Sequence, residues 1–221
     1  MPRSSPSYLR PYVEAAAEHG GTFEAQLWRS RDAQRRRFEA LVELAGPSRF
    51  AGRRVVDLGC GTGGLATHLA ERGLAVAAGL GVEAVGELAS TARRAAPPGW
   101  RIEDFDFVHD PQRIESFRPE VAVLSGSLNT LSERQARRVV AAIFERVSVG
   151  VCFNFLSDRH HRSGPEDLAP ARRFSTLAML RFATAATPRV AFRQDHLDGH
   201  DAAIWMEHAE VDHRRRGDAD S

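Results

Sequence analysis

Residues 55–64 read VVDLGCGTGG. Val55 and Val56 run into Asp57, and four glycines fall among the six positions from Gly59 to Gly64. A glycine run between a strand and a helix lets backbone N–H groups approach a ligand closely. Two spacings overlap here. Gly59, Gly61 and Gly64 satisfy Gly-x-Gly-x-x-Gly, the dinucleotide fingerprint. Asp57, Gly59, Gly61 and Gly63 satisfy Asp-x-Gly-x-Gly-x-Gly. Asp57 separates the two. A dinucleotide brings an anionic pyrophosphate to the loop, and a carboxylate there would repel it. A nucleoside carrying positive charge and no phosphate would tolerate it.

The rest of the chain supplies the frame. Its 221 residues suit one domain with at most a small appendage. Apolar residues make up 43% and charged residues 27%, the ordinary range for a chain with a sizeable core. The net charge of +1 gives no global field toward nucleic acid or membrane. There is no lysine, so Schiff-base and Walker-type lysine chemistry is excluded. Cys60 and Cys152 are too few for a disulfide scaffold and have no zinc spacing, so no metal site is expected. No stretch looks like a signal peptide or approaches the roughly 18 apolar residues of a membrane span, and the expected location is the cytoplasm.

Hydrophobic periodicity and turn residues predict the order of elements. The first 50 residues read as helices, with Ser30 capping one that ends near Gly46-Pro47. RRVVDLG is a buried strand, GLATHLAER a short helix, and LAVAAGLGVE a second strand. Residues 85–95 read as a helix and IEDFDFV as a third strand. VAVLSG, 121–126, is a fourth strand; Thr130 and Glu133 stand at capping-box spacing before ERQARRVVAAIFERV. VGVCFNFL is a fifth strand. A polar loop, SDRHHRSGPED, leads to a helix around FSTLAMLRFA. RVAFRQDHLDGHDAAIWMEHAEV reads as a hairpin turning at Leu197-Asp198-Gly199-His200. Alternating strands and helices imply a mostly parallel sheet covered on both faces.

With Asp57 read in this way, the sequence resembles the class I S-adenosylmethionine-dependent methyltransferases, whose first motif is this acid–glycine pattern. The resemblance covers residues 50–210. It implies an α/β fold: a doubly wound, mostly parallel seven-stranded sheet, helices on both faces, and an antiparallel C-terminal strand. Residues 50–212 would bind S-adenosylmethionine and release S-adenosylhomocysteine. Residues 1–49 would form a helical lid, and residues 213–221 a polar tail. By position, Asp57, Gly59, Cys60, Gly61 and Gly63 would form the first cofactor loop. Glu83, with Ala84 beside it, would hold the ribose hydroxyls. Glutamate is the less usual acid there, and Gly81 just before it departs from the common pattern. Asp106, followed by Phe107, would accept from the adenine amine, with Asp104 as the rival. SGSLN, from Ser125 through Gly126 to Asn129, matches the loop near the reactive methyl. LWRSRDAQRRRF, SGSLN and CFNFLSD further resemble a small single-domain bacterial group. In that group Trp28, Ser30, Arg37 and Phe38 have recurring counterparts. Arg37 would hold the cofactor carboxylate with its fork and Trp28 would close the pocket. Otherwise Arg37 is one of three solvated arginines and Trp28 a core residue.

Methyl transfer needs alignment more than proton chemistry, and a general base helps only some acceptors. The candidates for the acceptor side are Asn129, His160 and His161; a turn residue and a solvated histidine pair are the competing readings. His196, Asp198, His200 and Asp201 flank the hairpin turn; a metal is conceivable there, but turn residues are the expected reading. FSTLAMLRF could line an acceptor pocket or fill the core. The Asn-Pro-Pro-Tyr signature of amino-methylating nucleic-acid enzymes and the Pro-Cys nucleophile of cytosine-carbon methylation are both absent. The expected acceptor is a small molecule, methylated on oxygen or nitrogen by a monomer or homodimer. Nucleic-acid or protein methylation, or a repurposed fold, are the alternatives.

Overall fold

The computed structural model describes residues 5–161 and 169–209, and the structural statements below concern those residues. The tail expected at 213–221 lies outside them. In chain order the elements are α1 (Arg10–His19), α2 (Arg31–Ala45), β1 (Arg54–Leu58), α3 (Gly64–Glu71), β2 (Ala78–Glu83), α4 (Gly86–Ala95) and β3 (Trp100–Asp104). There follow β4 (Val121–Leu124), α5 (Glu133–Phe144), β5 (Gly150–Ser157), β6 (Arg173–Phe174), α6 (Thr176–Ala186), β7 (Arg189–Arg193) and β8 (Asp201–Glu207).

Seven strands lie in the order β3-β2-β1-β4-β5-β8-β7, and the two-residue β6 pairs with β5. The path from β3 to β5 is parallel, while β8 runs antiparallel to both β5 and β7. This is the Rossmann-like methyltransferase fold expected from the motif order. Strand order reverses between β1 and β4, so the chain leaves their carboxyl ends toward opposite faces, to α3 and α5, and opens a crevice there.

Side chains alternate along each central strand and build two cores. Val56, Leu58, Leu124, Val151 and Phe153 pack with Ala136, Val140 and Ile143 of α5. On the other face Val55, Val121, Val123 and Cys152 pack with Leu41 and Val42 of α2 and Leu65 and Leu69 of α3. Phe174, Met179 and Ala183 belong to the first core, so FSTLAMLRF is core rather than pocket wall. A third, smaller cluster joins Ala15 and Ala16 of α1 to Val85 and Leu88, fastening the first helix against α4.

Ser30 caps α2 as expected, its hydroxyl accepting from Ala33 N–H at 3.1 Å. The α5 cap differs from the expectation. Ser132, not Thr130, is the cap, with Gln135 completing the box. Thr130 lines the cavity beside β4 instead. The third strand is also shorter than IEDFDFV. It ends at Asp104, because the Asp106 carboxylate accepts from Val108 N–H at 3.0 Å and His109 N–H at 3.4 Å, turning the chain out of the sheet. Glycines inside β2 make room for neighbours: a β-carbon on Gly79 would meet the Trp100 ring, and one on Gly81 would stand 2.9 Å from Cys60 Sγ. Among the described residues no helix is long and apolar enough to cross a membrane.

Candidate active site

The glycine loop decides between its two readings by its backbone. Gly59, Gly61 and Gly63 have φ of 78°, 55° and 88°, a left-handed conformation open to glycine, while Gly64 does not. The positions that require glycine are therefore those of Asp-x-Gly-x-Gly-x-Gly. The loop amides are also committed. Gly59 and Cys60 N–H donate to Val82 O at 2.8 and 3.0 Å, and Gly61 N–H donates to Glu83 Oε2 at 2.8 Å. A pyrophosphate would find two carboxylates here instead of free N–H groups.

Those carboxylates, Asp57 at the end of β1 and Glu83 at the end of β2, are both buried. The second oxygen of Glu83 accepts from Val85 N–H at 3.0 Å. Burial, with the charge of Glu83 nearby, pushes the Asp57 carboxyl up to about 8. Burial likewise raises Glu83 to about 7, although the backbone donors hold it back. Two such groups favour a ligand that brings positive charge.

They stand on the wall of a cavity of about 770 Å³. Trp28, Arg37, Asp57, Gly59, Cys60, Gly61, Glu83, Ala84, Asp106, Phe107, Ser125 and Gly126 all line it, as does Asn129. Gly63 stands behind it as the cap of α3, where a β-carbon would lie 3.7 Å from Ala92. Asp104 is exposed, whereas Asp106 is half-buried at the cavity, where its second oxygen accepts from Tyr8 O–H. His160 and His161 do not line the cavity. The His160 ring sits edge-on to His200, and His161 N–H donates to Asp198 O at 3.3 Å, so both belong to the surroundings of the β7–β8 turn. Residues 162–168 beside them lie outside the described residues.

The chemistry of the cavity changes across the sheet. Asp57 and Glu83 stand at the ends of β1 and β2, and Asp106 follows β3. Toward β4 and β5 the wall includes Ser125, Ser127, Asn129, Thr130 and Leu156, with His200 from the turn before β8. Ser125 Oγ, Ser127 Oγ and Asn129 Oδ1 are buried there with no hydrogen-bond partner. Buried polar atoms are almost always paired, so three orphans on one wall suit a polar ligand.

The N-terminal segment closes the opposite side with Tyr8, Tyr12, Gln26 and Trp28. Gln26 bridges to the glycine loop: its amide donates to Thr62 Oγ1 at 3.1 Å, and a β-carbon on Gly61 would collide with it. Trp28 lies on the turn after β4, where a β-carbon at Gly126 would fall 2.5 Å from its ring. The Arg37 guanidinium stands 5.1 Å from the centre of that ring. Arg37 is not one of a solvated trio: it is buried and donates from Nε to Asp201 Oδ2 at 2.7 Å. Tyr8, Tyr12, Gln26 and Asp201 escaped the sequence reading. Asp201 passed for a turn residue because nothing local marks it as the buried partner of a residue 164 positions away.

A protein-family profile described as a methyltransferase domain matches residues 27–174. The chain belongs to that family. It carries an S-adenosylmethionine-dependent methyltransferase domain. Among curated proteins no match is found. Solved structures show the shared fold at low identity. A Leishmania major S-adenosylmethionine-dependent methyltransferase is 13% identical with a TM-score of 0.65, over 91% of this chain and 83% of that one. The Haemonchus contortus phosphoethanolamine N-methyltransferase 1, with phosphoethanolamine and S-adenosylhomocysteine bound, is 13% identical with a TM-score of 0.66. It is matched over 92% of this chain and 49% of its own. The Synechocystis magnesium protoporphyrin IX methyltransferase, with S-adenosylhomocysteine bound, is 12% identical with a TM-score of 0.60, over 80% and 83% of the two chains.

Proposed function

We infer that this methyltransferase transfers the methyl group of S-adenosylmethionine to a small-molecule acceptor. The observation that carries the reading is the divided cavity: carboxylates at or just past the ends of β1, β2 and β3, uncharged polar and apolar groups with His200 toward β4 and β5, and a cover of N-terminal side chains. Its volume, about 770 Å³, falls in the range of small-ligand pockets, roughly 300–1,000 Å³. The structural neighbours described above include enzymes named for small-molecule acceptors.

The residues fit the cofactor group by group. Asp57 would face the amine end, and the unshared lone pairs of Glu83 would take the ribose hydroxyls. Asp106 would accept from the adenine amine, Phe107 would pack against the base, and Arg37 would hold the carboxylate. When bound, S-adenosylmethionine supplies a methyl group on a positively charged sulfur, so the leaving group comes with it. The chain's own work is alignment and exclusion of water, which can lower a barrier by about 7–11 kcal/mol. Ser125, Gly126 and Asn129 stand where the acceptor meets the methyl group. Asn129 Oδ1, buried and unpartnered, orients an acceptor hydroxyl or amine by accepting its hydrogen. Of the segment 1–49, the described residues before α2 act as the lid, with Gln26 and Trp28 as its inner surface, while Leu41 and Val42 of α2 pack in the core.

Calorimetry with S-adenosylmethionine and S-adenosylhomocysteine tests the first half; absence of binding by both at millimolar concentration refutes it. Release of S-adenosylhomocysteine in the presence of small phenols, alcohols and amines, but not of RNA or a denatured-protein mixture, tests the second. Turnover with RNA or protein alone refutes it.

A further inference from the structure

Asp201 opens β8, and its side chain is fully buried. Three partners converge on its carboxylate. Arg37 Nε donates to Oδ2 at 2.7 Å, Asn154 Nδ2 reaches Oδ1 and Oδ2 at 2.8 and 2.9 Å, and His196 Nε2 stands 3.0 Å from Oδ1. The pairing of the strands explains the Asn154 contact. Asn154 lies opposite Ala203 and Leu156 opposite Asp201, so Asn154 and Asp201 are diagonal neighbours on one face. Asn154 then passes the contact on, its Oδ1 accepting from Gly126 N–H at 2.8 Å. Asp201 does not line the cavity, yet it is tied to two residues that do, Arg37 and Gly126.

A guanidinium presents five N–H donors in a rigid plane. Asp201 takes the Nε edge of Arg37, and Ala33 O stands 3.4 Å from Nη1. Among the described residues Nη2 has no hydrogen-bond partner, and Arg37 lines the cavity. The Arg37 face also rests against Trp28, so carboxylate and ring fix the plane together. We propose that Asp201 is a positioning residue of the methyl-donor site: it holds Arg37 through Nε so that the remaining guanidinium donors meet the donor's carboxylate. This inference rests on the reading of Arg37 as the donor's carboxylate partner.

The test compares two ligands by calorimetry. S-adenosylhomocysteine has the amino-acid end; 5′-methylthioadenosine shares the adenosine and lacks that end. Asp201→Asn weakens S-adenosylhomocysteine roughly 10- to 100-fold, the worth of one charge-assisted hydrogen bond. It leaves 5′-methylthioadenosine within about twofold. Arg37→Met/Asp201→Asn binds S-adenosylhomocysteine as Arg37→Met alone does, because Asp201 acts through Arg37. Equal weakening of both ligands, unchanged or tighter S-adenosylhomocysteine binding, or additive losses overturn the proposal. Full affinity in Arg37→Met refutes the Arg37 reading itself, a separate failure. Should Asp201→Asn not fold, the wild-type chain carries the test by nuclear magnetic resonance. The Arg37 Nε–H proton stays protected from exchange when S-adenosylhomocysteine is added, and loss of that protection overturns the proposal.

Discussion

Acidification is expected to weaken cofactor binding, by an amount set by Asp57 and Glu83. Their carboxyls are raised to about 8 and about 7 by burial, with the charge of Glu83 adding to the rise at Asp57. A ligand bearing positive charge favours both as carboxylates, so binding expels the protons they hold. A carboxyl with its midpoint near 8 is ionised in about 1% of molecules at pH 6 and about half at pH 8. Asp57 alone then changes the affinity roughly 50-fold between about pH 6 and pH 8, and Glu83 adds up to about tenfold. The assay is calorimetry with S-adenosylmethionine in paired buffers of different ionisation enthalpy, which counts protons released. Asp57→Asn should flatten most of the slope. An affinity that does not change across this interval, with no net proton release in the wild type, refutes the reasoning. Stability carries the same sign. The unfolded chain gives up these protons near 3.8 and 4.5, whereas the folded chain holds them. The stability the two groups contribute is full below those values and is lost as the pH rises through about 7 and about 8. The thermal midpoint of the ligand-free chain should therefore carry a falling component over that window, which saturating S-adenosylmethionine reduces.

Gly126→Ala forces a left-handed residue, φ 71°, to carry a β-carbon 2.5 Å from the Trp28 ring. It should cost about 1–2 kcal/mol of backbone strain plus about 1–3 kcal/mol of overpacking, read as a lower thermal midpoint. The loss should shrink in a Trp28→Ala background, and equal losses in both backgrounds count against the contact. Cys60 and Cys152 are buried, and burial raises both thiols above their ordinary range. Neither should react with a thiol reagent until the chain unfolds; rapid labelling of Cys60 in the native chain contradicts its placement under the loop. Ser132→Ala should cost about 1 kcal/mol by removing the α5 cap, measured by denaturant unfolding. Thr130→Val should spare that cap, and the reverse order would return the cap to Thr130.

The sequence carried the fold because local signals repeat there. Val55–Leu58 has the apolar pattern of a buried strand, Ser30 and Gly46 bound α2, and the hairpin declares itself at Leu197–His200. The glycine loop was legible in kind, but not in which glycines need the left-handed region; only the backbone distinguishes Gly63 from Gly64. The wall at the sheet was also legible, because its residues stand at or just past the carboxyl ends of neighbouring strands. The opposite wall was not. Tyr8 meets Asp106 across 98 positions, Gln26 meets Thr62 across 36, and Arg37 meets Asp201 across 164. Such contacts depend on how α1 and α2 dock, and no periodicity encodes docking. The histidine pair attracted a catalytic reading by its chemistry alone, and its position beside the β7–β8 turn removes it from the cavity wall.

The opening motif thus does two jobs that a spacing rule merges. Its glycines bend the loop, and its N–H groups serve Val82 and Glu83. On the proposed function, the ligand would be selected instead by Asp57 and Glu83, one strand apart and both buried. That arrangement is costly without a ligand, since burial and mutual repulsion disfavour two charges together. A cation relieves the cost and an anion increases it. The preference for a sulfonium nucleoside over a pyrophosphate therefore lies in the sign of the charge beneath the loop, while the glycines set only how closely that charge can be approached.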